Sequence, residues 1–421
     1  RGYEMTNDEQ EAEIIVINTC CFIHDAKEES IQNILEMAEY KKNGSAKALI
    51  VTGCMAERYR QEILDEIPEV DEVLGTTAYD RILDAVDAAL AGQHEVMTAD
   101  LDALPLPETK RLVTTGGHFA YLKIAEGCDK HCTYCIIPKI RGNFRSVPME
   151  RLLKEAQDLA EQGVKELILV AQETTLYGKD LYGEKSLPKL LRELCKISGI
   201  RWIRILYCYP EEITDELIQV MKEEPKICHY LDLPIQHAND TILKRMGRRT
   251  SKQELIDIVQ KLRKEIPDIC LRTTLITGFP GETQEEFETT CAFAKEVGFA
   301  QIHVFKYSRR QGTVADAMTD QVDEQIKGKR SDALLAIEAQ LEKAYHDRFM
   351  GQTEKVLVEE AVMLGKEKYL IGYNERYVRV AVPYEAGKCD ESLCNRLIDV
   401  HIEGDRDGEI LFGTMEKACN L

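Results

Sequence analysis

Six strand-like segments alternate with helical segments between residues 119 and 308, and this alternation limits the possible folds more than any other feature of the chain. The segments are 119–125, 164–171, 201–207, 229–235, 270–276 and 301–306. Apolar residues recur at helical spacing between them, as in the stretch that follows Pro148 and ends at Gly163. Right-handed βα units in this number predict an incomplete, TIM-like (βα)6 barrel, short of the eight units of a closed one.

The residues before this region also alternate between strand-like and helical segments, in smaller number. Short β-branched runs occupy 13–18 and 47–53, and helical periodicity covers 24–40, 56–66 and 78–91. This order predicts an N-terminal parallel α/β domain over residues 1–100. Both strand-like runs end next to cysteines, at Cys20 and Cys54. Carboxyl ends of neighbouring parallel strands open onto one crevice, so the two thiols either face a common site or fill a core.

The remaining segments complete a three-domain prediction of mixed α/β class. The polar, proline-containing stretch 101–117 is typical of a linker, and a long helix over 323–350 closes a central domain that spans 118–350. From residue 351 to 421 the periodicity changes to alternation in five short runs separated by polar turns. This pattern predicts a small antiparallel β-barrel.

Composition narrows the class of protein. The chain has 421 residues, a formal net charge of -20 and 14 cysteines. No apolar run approaches the roughly twenty residues needed to cross a bilayer, so we expect no membrane association. The cysteines are too dilute for a disulfide scaffold, which favours reduced thiols and a cytoplasmic protein. The chain opens at Arg1 without Met or an apolar leader, so we expect its true start to lie elsewhere.

A cluster of three cysteines, Cys128, Cys132 and Cys135, follows the first strand of the predicted barrel, at the face where barrel active sites lie. Clusters of this density in a reducing compartment usually bind metal. A structural zinc ion needs four ligands, so His131 or a distant residue would have to be the fourth. An electron-transfer cluster likewise needs four thiolates. Three thiolates suit a 4Fe-4S cube whose fourth iron stays open for an external ligand.

The stretch "EGCDKHCTYCIIPKIRG" resembles the CxxxCxxC loop of the radical S-adenosylmethionine superfamily. The resemblance implies that S-adenosylmethionine chelates the open iron through its amino and carboxylate groups and yields a 5'-deoxyadenosyl radical. It also implies that the glycine-rich turn "LITGFPGET", with Gly278 and Gly281, approaches this cofactor closely. A tight βα turn without ligand contact is the alternative for each glycine. No catalytic side chain is identified beyond the cluster ligands.

The whole chain resembles the methylthiotransferases, since "NTCCFIHDAKEES" and "TGCMAERY" match two cysteine motifs of that family's first domain. The resemblance implies that Cys20 and Cys54 bind a second 4Fe-4S cluster, whose third ligand lies upstream of this sequence. It also implies that the terminal barrel is a TRAM domain. A reductant such as flavodoxin or ferredoxin is the expected electron donor.

Within this family, "AQETTLYG" and "LPIQHANDTILKRMGR" look most like the branch that modifies a ribosomal protein. That resemblance implies transfer of a methylthio group to the β-carbon of an aspartate in the twelfth protein of the small ribosomal subunit. From residue 352 onward, nine Lys and Arg stand against fourteen Asp and Glu, a net charge of -5 that suits a basic protein better than RNA. Transfer-RNA adenosine methylthiolation and simple iron-sulfur electron transfer are the alternatives.

Overall fold

The computed structural model describes residues 2–104, 111, 113, 116–406 and 408–418. The helices, in chain order, are α1 (His24–Asn43), α2 (Cys54–Tyr59), α3 (Gln61–Glu66), α4 (Ile82–Leu90), α5 (Ile137–Arg141), α6 (Met149–Glu161), α7 (Lys179–Tyr182), α8 (Leu187–Cys195), α9 (Asp215–Glu223), α10 (Asp240–Arg245), α11 (Lys252–Glu265), α12 (Gln284–Val297) and α13 (Glu324–His346). Short 3-10 helices occupy Tyr79–Arg81, Pro210–Glu212, Ala315–Ala317, Asp347–Phe349 and Glu391–Leu393.

The strands, in chain order, are β1 (Ile14–Thr19), β2 (Ala48–Gly53), β3 (Glu72–Leu74), β4 (Glu95–Met97), β5 (Phe119–Lys123), β6 (Ala125–Glu126), β7 (Arg145–Ser146), β8 (Glu166–Val170), β9 (Trp202–Ile205), β10 (Ile227–Gln236), β11 (Cys270–Thr277), β12 (Gln301–Lys306), β13 (Thr353–Leu364), β14 (Glu367–Asn374), β15 (Arg379–Pro383), β16 (Leu397–Arg406) and β17 (Ile410–Ala418). They divide between two compact units.

The first unit combines residues 1–109 with two later segments, 126–145 and 308–318. Its centre is a parallel sheet of order β1-β2-β3-β4, and every residue of β2 is buried. Burial of β-branched and aliphatic side chains on both faces is expected of a parallel strand covered by helices on each side. Ile136 and Ile140 belong to the same apolar core as the buried residues of this sheet, so the segment around α5 packs on it.

The second unit combines residues 110–125, 146–307 and 319–421. Among its described residues, six parallel strands form a sheet in the sequential order β5-β8-β9-β10-β11-β12. Helices fill the connections, and two of them begin with complete capping boxes, at Ser251 with Glu254 and at Thr283 with Glu286. This arrangement is the (βα)6 partial barrel that the sequence predicts.

The end of the second unit is a closed barrel of order β13-β14-β15-β17-β16, in which the neighbouring strands are antiparallel except for the parallel pair β15 and β17. Its buried residues share one apolar core with residues of the parallel sheet, including Trp202, Tyr230 and Cys270. Arg204 of β9 reinforces this junction, because its guanidinium donates to Glu166 and to the carbonyl of Glu375 at 2.6 and 2.7 Å. The parallel sheet and the terminal barrel are therefore joined by packing and by a buried charge.

The predicted fold class is confirmed, and several local predictions are corrected. The helix expected over 56–66 is two helices, because the backbone of Arg60 turns to φ 45° between them. The short strands β3 and β4 were not predicted, since three residues carry too little periodicity. Much of the predicted linker, 105–110, 112, 114 and 115, lies outside the described residues. The predicted contiguous domain boundaries remain a prediction.

Within the described part of the chain, no helix is both long enough and apolar enough to cross a membrane.

Candidate active site

The cysteine loop of the first unit is closely folded. The side chains of Cys128 and Cys132 are buried, each residue being 6% exposed, and Cys135 is half-buried. Gly127 starts the loop at φ 78°, and a Cβ there would lie 2.0 Å from the carbonyl oxygen of Asn143. Only glycine therefore fits this position. The amide of Cys135 donates to the carbonyl of Cys132 at 2.9 Å, which closes a turn between two of the thiols.

The environment of the loop favours neutral thiols in the absence of a bound cation. Burial raises the pKa of Cys135 to about 11, and the neighbouring Cys132 adds to the shift, although the Ile137 amide and Arg310 oppose it. His131 lies between the thiols with a left-handed backbone, φ 50°, and its side chain is exposed. A metal would supply the positive charge that these thiols need to ionise.

Cys20 and Cys54 lie at neighbouring strand ends of the first unit. Thr19 and Gly53 are register partners in the β1 and β2 pair, and each is followed directly by one of these cysteines. Cys20 is exposed and Cys54 is half-buried. Adjacent parallel strands thus bring the two predicted ligand positions to one edge, as expected.

Cys21 has a different role from its neighbour. It is buried, and its thiol contacts the carbonyl of Cys54 at 3.3 Å. Burial raises the pKa of Cys21 to about 11, with the Cys54 thiol as the next cause. This thiol therefore packs between the two motifs as a neutral side chain.

Two arginines connect the cysteine motifs within the first unit. Arg141 follows the cysteine loop, and its Nη2 donates to the Sγ of Cys54 at 3.1 Å. Its Nη1 lies 3.7 Å from the carboxylate of Glu126. Arg310 donates to the carbonyl of Phe22 and, at 2.9 Å, to that of Tyr134. The two cysteine motifs are therefore bridged by charged side chains as well as by apolar packing.

The donor set fits an iron-sulfur cluster. Three thiols from one short loop, two of them nine-tenths buried, are the ligands that such clusters use. Across the described ranges, no group of three or more His, Cys, Asp or Glu side chains converges as the ligands of a single metal ion would. The thiolates of a cube bind separate irons, and so they need not meet around one atom.

The glycine turn after β11 has a structural explanation within the second unit. Gly278 has φ 71°, and a Cβ there would lie 2.3 Å from Cγ of Lys327. The amide of Gly278 donates to the carboxylate of Glu282, which also contacts His237 at 3.0 Å and Arg330 at 2.7 Å. The turn is thus fixed by the chain itself, and its contact with a cofactor stays a prediction for Gly278 and for Gly281.

Sequence reasoning missed the residues that support these motifs. Arg141 and Glu282 lie inside the quoted motifs, each next to a glycine. That position was the only sequence signal for their supporting role. Arg310 lies far along the chain from both cysteine motifs, and no local pattern marks it.

The chain matches two family models. Residues 1–75 match a family described as uncharacterized protein family UPF0004, and residues 122–294 match the radical SAM superfamily. A protein of Lachnoclostridium phytofermentans named ribosomal protein uS12 methylthiotransferase RimO is 60% identical over 422 residues, which cover 99% of this chain and 94% of that protein. The chain belongs to the RimO family.

Another RimO protein supports this assignment, and a solved structure shares the fold. The Desulfitobacterium hafniense RimO is 49% identical over 361 residues, covering 86% of this chain and 81% of that protein. The radical S-adenosylmethionine methyltransferase TsrM of Kitasatospora setae, solved with cobalamin and a [4Fe-4S] cluster, superposes with a TM-score of 0.56 at 12% identity. That match covers 73% of this chain and 64% of TsrM, and it shows a shared fold.

Proposed function

We propose that the protein is a radical S-adenosylmethionine methylthiotransferase that adds a methylthio group to the β-carbon of an aspartate in ribosomal protein uS12. The observation that carries the proposal is the 60% identity, over almost the whole chain, to a relative named for this activity. The cysteine loop supports it independently, because its three thiols, two of them buried, suit a cluster with one open iron. Two 4Fe-4S clusters and S-adenosylmethionine are the cofactors.

The substrate bond explains the choice of cofactor. An aspartyl β-carbon carries no proton acidic enough for a side-chain base to remove. When bound, the clusters and S-adenosylmethionine supply the one-electron chemistry and the hydrogen abstraction that acid–base catalysis lacks. The protein's own part is to hold these groups, to orient the aspartate and to limit access of water.

Cys128, Cys132 and Cys135 are the proposed ligands of the first cluster. Cys128 and Cys132 are shielded from solvent, and Gly127 gives the backbone the turn that this loop requires. Arg310 donates to the carbonyl of Tyr134, between the last two thiols, and so restrains the loop in one shape. A restrained loop keeps its thiols in place before metal arrives.

Cys20 and Cys54 are the proposed ligands of the second cluster, with the third ligand contributed from upstream of this sequence. Arg141 donates to the Cys54 sulfur, which stabilises negative charge on that ligand. The turn at Gly278 and Gly281 is the proposed contact for S-adenosylmethionine. Its shape is set by the hydrogen bond from the Gly278 amide to Glu282.

The terminal barrel is the proposed docking site for uS12. Its net charge of -5 from residue 352 onward favours a basic protein over phosphate. A cytoplasmic reductant such as flavodoxin or ferredoxin is the proposed electron donor, in keeping with free thiols at thirteen cysteines of the described chain. No membrane partner is part of this proposal.

The test is anaerobic reconstitution of the full-length protein with iron, sulfide, S-adenosylmethionine, a reductant and purified uS12. Mass spectrometry is expected to find uS12 with an added methylthio group on an aspartate. Cys132→Ala should abolish both this product and 5'-deoxyadenosine, whereas Cys291→Ala, a half-buried thiol of α12, should retain both. Product formation by Cys132→Ala, or an unmodified uS12 beside modified transfer RNA, would overturn the proposal.

A further inference from the structure

A polar group inside the second unit has no role in the function described so far. Asp232 of β10 and Arg272 of β11 are register partners in the parallel sheet. Residues two apart on a strand share a face, so these side chains lie on the face that carries Tyr230 and Cys270. Tyr230 and Cys270 belong to the apolar core that the parallel sheet shares with the terminal barrel. By register, the pair is also close to the level at which β9 ends.

The hydrogen-bonding capacity of this pair is only partly used, although the backbone of Tyr207 hydrogen-bonds to the Asp232 carboxylate. Arg272 donates to the hydroxyl of Tyr230 at 3.4 Å, a long bond. Its Nε lies 3.9 Å from Oδ1 of Asp232, and neither atom has a hydrogen-bond partner among the described residues. The side chains are only 22% and 4% exposed. Buried polar atoms without partners are uncommon and call for a functional explanation.

Arg204, an arginine of the same sheet, shows what a purely structural role looks like. It is fully buried, it pairs with Glu166, and it donates to the carbonyls of Glu375 and Asn374. Its guanidinium also lies 4.2 Å from the centre of the Tyr377 ring. Within the described part of the chain, the side-chain contacts of Arg272 are the long bond to Tyr230 and the 3.9 Å approach to Asp232, and part of its side chain remains accessible.

The neighbouring titratable groups leave the positive charge of Arg272 available to bind an anion. Burial raises the pKa of Asp232, although Arg272 opposes the shift, so the neutral acid is favoured relative to an exposed aspartate. Burial, and then the charge of Arg272, lowers the pKa of His303 to about 4, which keeps this imidazole neutral. Tyr207, which is 46% exposed and has φ 58°, offers a hydroxyl in the same electrostatic environment.

We propose that Arg272 binds the side-chain carboxylate of the substrate aspartate, with Asp232 and Tyr230 positioning the guanidinium. The inference rests on the proposed function, because it assigns the substrate contact of that same reaction. A guanidinium presents two parallel N–H groups that match a carboxylate, and a carboxylate held in this way fixes the adjacent β-carbon. Adenosine carries no carboxylate, so this contact also selects a protein substrate. S-adenosylmethionine carries one too, and the experiment separates the two sources.

The experiment measures binding to the reconstituted holoenzyme without reductant, so that no turnover occurs. Calorimetric titration compares uS12 with a form whose target aspartate is replaced by asparagine. We expect the wild type to prefer the aspartate form by about 10- to 100-fold, the usual effect of a charged hydrogen-bonded pair. Arg272→Gln should lose this preference. Arg272→Lys should keep part of this preference, because lysine retains the positive charge but lacks the two parallel N–H groups of a guanidinium.

The control is Arg192→Gln on α8, where a partly exposed arginine pairs with Glu216 at the surface. This variant should keep the full preference. The affinity for S-adenosylmethionine, titrated without uS12, should be unchanged in Arg272→Gln, and a loss there would assign the guanidinium to the cofactor and overturn the inference. An unchanged preference for aspartate in Arg272→Gln would overturn it as well.

If Arg272→Gln fails to fold, the comparison passes to Arg272→Lys, and an undiminished preference in that variant refutes the inference. Failure of the proposed function has a different signature. In that case the wild-type enzyme itself would leave uS12 unmodified. Normal modification by the wild type, together with an unchanged preference in the variants, would contradict only the role of Arg272.

Discussion

Replacing Arg204 with methionine should strongly destabilise the second unit. The Arg204 side chain is fully buried, and its partner Glu166 is 3% exposed. Methionine fills similar space but leaves the carboxylate without a counter-charge, and loss of one partner of a buried pair costs about 3–5 kcal/mol. The Glu375 and Asn374 carbonyls lose their donor as well, at about 1 kcal/mol each. We expect the free energy of unfolding to fall by about 5–7 kcal/mol.

The assay is urea unfolding followed by tryptophan fluorescence. Trp202 is the only tryptophan of the sequence, it is 5% exposed, and it lies on the same strand as Arg204. Its emission therefore reports directly on the affected core. The matched control is the double variant Arg204→Met with Glu166→Leu, which removes both charges and should recover most of the loss. A single variant that loses less than about 1 kcal/mol, or a double variant as unstable as the single one, would refute the reasoning.

Two further predictions concern other charged residues. Arg141→Gln removes the charged donor to the Cys54 sulfur, so we expect the reduction potential of the second cluster to fall in an EPR-monitored titration of full-length protein, while Arg141→Lys retains part of the wild-type value. An unchanged potential in Arg141→Gln would contradict this. Burial and neighbouring carboxylates raise the pKa of Glu342 to about 7, so the folded state holds a proton that the unfolded state releases above its ordinary pKa. Stability should therefore fall as pH rises toward 7, and Glu342→Gln should stabilise the protein at pH 8 but not at pH 4, as measured by thermal unfolding. A pH-independent effect would count against it.

The sequence was sufficient for the larger elements and for the cysteine motifs. The strands of the partial barrel are long enough to show their periodicity, and the spacing of Cys128, Cys132 and Cys135 is a local pattern. The observed order of these strands is the one expected when successive βα units pack side by side. The parallel pairing of β1 and β2 brings the strand ends before Cys20 and Cys54 into register, and the ligand role of these cysteines stays a prediction.

The supporting contacts could not be predicted, because they depend on residues that are distant in sequence. Arg310 donates to the carbonyl of Tyr134. The sequence of the cysteine motifs does not indicate that the segment around Arg310 packs against them. The glycine turn was interpreted as a place for a ligand, whereas Gly278 is already required by the packing of Lys327. Arg272 looks like an ordinary strand residue, and only the register of β10 and β11 brings it to Asp232.

The most direct test of the central claim is a competition between substrates. The reconstituted full-length protein receives equimolar uS12 and transfer RNA in one anaerobic reaction, and mass spectrometry measures methylthio groups in both. The account predicts that an aspartate of uS12 gains the group, that 5'-deoxyadenosine forms with it, and that the transfer RNA stays unmodified. Methylthiolated adenosine beside unmodified uS12 would contradict it.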